Sequence, residues 1–289
     1  MSIPVKTESH PSELPVGQVL HTGPSGPWPA EKVAATATVA QAANGVHFAA
    51  WGETRVSQLE LERLVGAVPR TLAPALAKRC YYFVPLVIVE GDQAVAAPAY
   101  TVDLGDRAIC HRNVTIEASG VNGIHGTNAA NGTNGPVEAV FLSTRLVEDR
   151  FGLAFEFFIN VAHNFVDAAG VPESFAALAW SQAQAGVRGE TSQDAWETRR
   201  RALDPVTNAQ GLPMPLDERA RKNYEESAFS DSLAIYMLSL SLDFDYHDLR
   251  EREYPLLAAP SLAERLRHVA VLFPANDGYE FQILYRRKG

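Results

Sequence analysis

Four polar side chains interrupt an otherwise apolar stretch of this chain. Glu156, Asn160, His163 and Asp167 lie within DRFGLAFEFFINVAHNFVDAAG, residues 149–170, at intervals of four, three and four. On a helix, that spacing stacks them along one line of the surface. His163 and Asp167 stand one turn apart, the separation at which a carboxylate orients an imidazole as a general base or a metal ligand. With Asn160 one turn earlier, they form a candidate catalytic set of His163, Asp167 and Asn160. The rest of the stretch is greasy nearly all round, so the predicted helix is buried and its polar cluster needs partners, water or a ligand.

A divalent metal is the second chemistry these residue types suggest. His125 lies in a Gly- and Asn-rich segment, and His247 and Glu251 are four apart in DFDYHDLRERE, residues 243–253. Together with the helix they supply a candidate ligand set of His125, Glu156, His163, His247 and Glu251. Zinc accepts mixed imidazole and carboxylate ligands and activates a bound water, which suits hydrolase or lyase chemistry. Iron on the same ligands would permit oxidation. The set rests on loose spacing, since HExxH, ExxH and paired CxxC patterns are all missing. Glu156 and His163 would also sit about 10 Å apart along a helix axis, an awkward span for one ion.

Other chemistries lack a pattern. A GxSxG elbow does not occur, and neither GxGxxG nor GxxxxGK[ST] is present to cradle a phosphate, so no nucleotide cofactor is indicated. Two cysteines, Cys80 and Cys110, cannot define a disulfide framework and read as plain buried thiols. The formal net charge is −9 with both signs mixed along the chain, which argues against nucleic acid as a partner. No apolar run approaches the length of a membrane span, and no basic-then-apolar leader opens the sequence. The expectation is a cytoplasmic, soluble enzyme acting on a small-molecule substrate, with no membrane partner. Its alternatives are a metal-free ligand-binding protein, or a structural protein with a closed polar network in its core.

The elements that must hold these residues follow from punctuation and period. Residues 1–30 are Pro-, Gly- and Ser-rich and read as an extended arm anchored by Trp28; residues 31–289 read as a single α+β domain with a helical portion at about 149–268. Strands are predicted over 36–41 and 46–51, and a Ser57/Glu60 capping box then opens a short helix. YYFVPLVIVE, residues 81–90, is a strand interrupted at Pro85, followed by strands near 94–103 and 107–117 in an antiparallel meander. On the last of these, His111, Asn113 and Thr115 share a polar face. Residues 118–136 form a long loop that is either inert or a lid. After the strand at 137–147 and the central helix come helices near 172–185 and 192–203, the latter anchored by Trp196, and a Pro-rich break at 204–215. Asp217 caps a helix toward Phe229 that either continues or breaks near Ser230. Ser261 and Glu264 suggest a second capping box, and residues 269–273 and 279–285 a terminal hairpin. Strands at both ends without a βαβ rhythm give an α+β fold, with a mostly antiparallel sheet around the buried central helix.

Overall fold

A computed structural model describes residues 26–89, 93–96, 108–117, 136–147, 149–204, 217–249 and 254–283. Its strands are β1 (Gly26–Pro29), β2 (Ala40–Gln41), β3 (His47–Ala50), β4 (Arg79–Val84), β5 (Val87–Val89), β6 (Gln93–Ala96), β7 (Ala108–Ile109), β8 (His111–Ile116) and β9 (Val137–Ser143). Its helices are α1 (Ala30–Thr36), α2 (Gln58–Gly66), α3 (Arg150–Ala169), α4 (Glu173–Gln184), α5 (Gln193–Leu203), α6 (Glu218–Ser241) and α7 (Ala259–Leu272).

The fold is α+β. β4 reads CYYFV along most of its length, and a run apolar on both faces belongs at the centre of a sheet covered on both sides. It lies there, in a five-stranded sheet of order β2-β3-β4-β9-β8. Tyr81 and Phe83 point to the helical side, where their rings lie 5.1 and 5.5 Å from Phe157 of α3. Cys80, Tyr82 and Val84 point the other way, into a second core with Val33 and Ala34 of α1. Trp28 closes the edge of that core, its ring 5.0 Å from Trp51.

Among the described residues five of the strand pairings are antiparallel, as the lack of a βαβ rhythm suggested. β4 departs from the expected meander, pairing in parallel with both β3 and β9. Pro85 ends β4: it has no N–H to continue a ladder, so the chain leaves the large sheet there instead of turning back beside β4. β5 then joins a separate four-stranded sheet of order β1-β6-β5-β7.

α3 begins and ends where its sequence says. Asp149 accepts a bond from the Gly152 amide at 2.6 Å, and Gly170 ends the helix at φ 75°. α6 runs antiparallel beside it, with Phe165 against Phe229 at one end and Phe151 against Phe244 at the other. It is one helix, continuous through Ser230, and Asp217 caps it with bonds from the Arg219 and Ala220 amides. The Ser57/Glu60 capping box also forms as read.

Three expectations fail for identifiable reasons. Thr36 ends a helix instead of opening a strand, because Ala30, Val33 and Ala34 bury one helical stripe. Ser261 is not a cap: α7 starts two residues earlier, with Pro260 in its first turn. No strand forms over 269–273, because Leu262, Leu266, Val269 and Phe273 are buried at helical spacing and that burial overrides the β-branched preference. Residues 279–283 are irregular, so no terminal hairpin forms. The candidate lid at 118–136 and the break at 204–215 lie, apart from Pro136 and Asp204, outside the described residues, as does most of the arm.

One glycine is indispensable to this architecture. Gly189 has φ 80°, and a Cβ there would lie 2.0 Å from the Leu256 carbonyl oxygen. The close approach lets Glu190 bond backbone to backbone with Pro255 and Leu257. Gly189→Ala is expected to cost about 2–4 kcal/mol, from left-handed strain plus the clash, read as a lower urea midpoint. A loss below about 1 kcal/mol would mean the two segments separate easily.

Candidate functional site

The polar line of α3 is divided between two neighbours. At its N-terminal half, Glu156 makes a short contact through Oε1 with Nδ1 of His111, which projects from the polar face of β8. Asn160 is buried and serves the same pair, its amide donating to the Glu156 carbonyl at 2.8 Å and to Glu156 Oε1 at 3.3 Å. The C-terminal half, His163 and Asp167, opens into a groove of about 440 Å³ between α3, α5 and α6.

The groove is made by three helical stripes. α3 contributes His163, Val166 and Asp167; α5 contributes Asp194, Glu197, Thr198 and Arg201; α6 contributes Asn223, Glu226, Ser227 and Ser230. The last two sets have the spacing i, i+3, i+4, i+7 of one helix face. His163 and Asp167 are exposed here, which corrects the expectation of a buried cluster. The reason is the facing side chains: they are polar or short, and no apolar surface closes over the line. His163 nonetheless sits low among the three helices and is crowded by protein atoms. Burial therefore pulls its pKa below 6.5, against the upward pull of Asp167 and Asp194 and with help from His111. At neutral pH the ring is uncharged, with a lone pair free to take a proton. Among the described residues no hydrogen bond joins it to Asp167, which acts through space.

The candidate metal ligands do not come together among the described residues. No three His, Cys, Asp or Glu side chains in the described part are grouped to hold an ion. Glu156 is occupied by His111. His247 lies exposed on a tight turn, Tyr246–Leu249, just after Phe244, whose ring packs on Phe151. That is the opposite end of α3 from His163, about 18 Å along the helix axis. His125 and Glu251 lie outside the described residues. Burial raises the Cys80 thiol to about 12 and also raises the half-buried Cys110, which disfavours the thiolate at both.

A closed polar network does lie in the core, centred on Glu190 and Arg265, which the sequence did not single out. Glu190, with no exposure, receives a two-pronged contact from Arg265 at 2.9 and 3.3 Å, a bond from Tyr224 at 2.8 Å and a longer one from Arg199 at 3.3 Å. Arg265 also donates to Gln182 at 2.8 Å, and Arg199 to the Gly189 carbonyl at 2.8 Å. α4, α5, α6 and α7 are thereby tied to one carboxylate. Asp231 sits beside it, buried and accepting from Thr191 at 2.8 Å.

Burial raises the Asp231 carboxyl to about 6, opposed by the Ser192 and Thr191 hydroxyls; Glu190 adds to the rise and Arg265 opposes it. The folded state thus binds this proton more tightly than the unfolded chain, with its ordinary 3.8. Ionised Asp231 burdens the fold above pH 6, and the burden is relieved as pH falls toward 4. Relative to Asp231→Asn, the wild type is expected to gain on the order of 2 kcal/mol between pH 7 and pH 4 in urea unfolding. A pH-independent difference between the two proteins would refute the assignment.

Compared with known proteins, the chain matches no family, no curated protein and no solved structure at a significant level. In the described part no helix is long and apolar enough to cross a membrane.

Proposed function

We propose that the protein is a small-molecule enzyme, a hydrolase or lyase, with His163 as its general base and Asp167 as the carboxylate that supports it. The observation carrying this reading is a neutral, partly desolvated imidazole low in an open polar groove, with an acidic group one turn away. In hydrolysis His163 would take a proton from the attacking water and return it to the leaving group. In a lyase the proton would come from carbon, and the leaving group would depart with its electron pair. Asn160 belongs to the supporting wall in this reading, because its amide is committed to Glu156.

Binding without turnover is the second reading. It is favoured by the lack of a hydrogen bond from Asp167 to the ring, since an imidazole free to rotate is a poorer base. Metal assistance, by zinc before iron, would enter only with ligands beyond the described residues, such as His125 or Glu251. Screening the wild type and His163→Gln in parallel against ester, amide and hydroxy-acid panels separates the readings. Consumption by the wild type alone supports the enzyme. Equal consumption by both overturns it, and elemental analysis of the active sample decides the metal.

A further inference from the structure

We infer that the groove accepts a small organic cation, an amine or guanidinium compound, held between Asp167 and Asp194 beside His163. This rests on the groove being the functional site, and adds the class of molecule it takes.

Four carboxylates line the groove against one guanidinium. Two are already neutralised: Glu197 pairs with Arg201 at 3.2 Å, and Glu226 with Lys222 at 3.6 Å. Asp167 and Asp194 have no ion pair or side-chain hydrogen bond among the described residues. They come from different helices, and the field of both reaches the His163 ring. An anionic ligand would meet this field as repulsion, and an apolar one would strip water from two carboxylates with no return.

A second, independent observation is the hydroxyl of Ser230. Ser230 is 1% exposed and is the last member of the groove stripe on α6. Other serines on this helix satisfy themselves on its backbone: Ser227 on Asn223, Ser232 on Ala228 and Ser239 on Tyr236. Ser230 has no hydrogen-bond partner among the described residues. The hydroxyl is not sealed off from the groove, and a polar group on a ligand seated there would bond it. The carboxylates thus call for positive charge, and the hydroxyl for a ligand that reaches the groove floor.

The test uses three probes of equal length and different charge: diaminobutane, butanediol and succinate. The readout is the imidazole NMR signal of His163 in the whole chain. Diaminobutane is expected to give a saturable shift that weakens with added salt, while the other two give none. Asp194→Asn, or Asp167→Asn should that variant fold poorly, is expected to weaken the diamine roughly tenfold, and Ser230→Ala a few-fold. Succinate or butanediol binding as tightly as the diamine would overturn the inference, as would no saturable shift with any probe. The two readings fail separately. Diamine binding with turnover indifferent to His163→Gln removes the enzyme and leaves the cation site. Turnover that needs His163 without diamine binding does the reverse.

Discussion

Arg265→Met is expected to lower the unfolding free energy by about 3–5 kcal/mol, among the largest losses available to a single substitution in this chain. The side chain it replaces is fully buried and forks onto Glu190, which is equally inaccessible. Desolvation opposes charge on Arg265, yet Glu190 and Tyr224 outweigh it and hold the guanidinium above its ordinary pKa. With Met in place, Glu190 would keep only Tyr224 and the longer contact from Arg199. The cost comes from leaving a carboxylate buried with too little compensation. Urea unfolding of the variant provides the measurement, and Glu190→Gln in the same background provides the control. The second change should recover part of the loss, because it removes the stranded charge. A loss under about 1 kcal/mol, or no recovery, would show that water reaches Glu190 when Arg265 is gone.

His163→Gln is expected to reduce kcat by about 10²–10⁴-fold while changing stability by less than about 0.5 kcal/mol. The two numbers belong together. An exposed ring contributes little to the fold, so a loss confined to turnover identifies chemistry. In the wild type the rate should fall as pH drops through a pKa below 6.5, since protonation removes the lone pair and burial sets where that happens. Asp167→Asn should move the midpoint lower still, because it removes the leading influence that favours the imidazolium. A variant that loses several kcal/mol of stability with unchanged turnover would make His163 a structural residue.

Local signals proved readable wherever one segment decides the outcome by itself. Asp149 and Gly170 bracket α3, Ser57 and Glu60 open α2, and Pro85 ends β4, each through groups a few residues apart. The polar line on α3 was equally legible, because a four-three-four spacing on a greasy helix needs no partner to be seen. Its exposure was not legible, since that depends on what α5 and α6 present from far along the chain. Those stripes, 194/197/198/201 and 223/226/227/230, carry the same helical signature. They are hidden by the ordinary expectation that polar helix faces meet solvent. The core charges were further out of reach. Arg199 reads as one of three consecutive arginines, and nothing local pairs Glu190 with a guanidinium 75 residues later. The failed hairpin has the same origin, since residues 269–273 resemble a strand until Leu262 and Leu266 fix the stripe they extend.

α5 presents two faces with unrelated duties, and that separation bears on how the protein can diversify. Arg199 turns inward to the ion cluster, while Asp194, Thr198 and Arg201 turn outward to the groove. The inward contact anchors the helix whatever the outward positions hold. Descendants of this chain can therefore exchange the polar side chains at 194, 198 and 201 and sample new ligands on an unchanged scaffold. Exchange at 199 meets the opposite fate, removing the scaffold before any new ligand is tried. Innovation at this site is cheap on one side of a single helix and closed on the other.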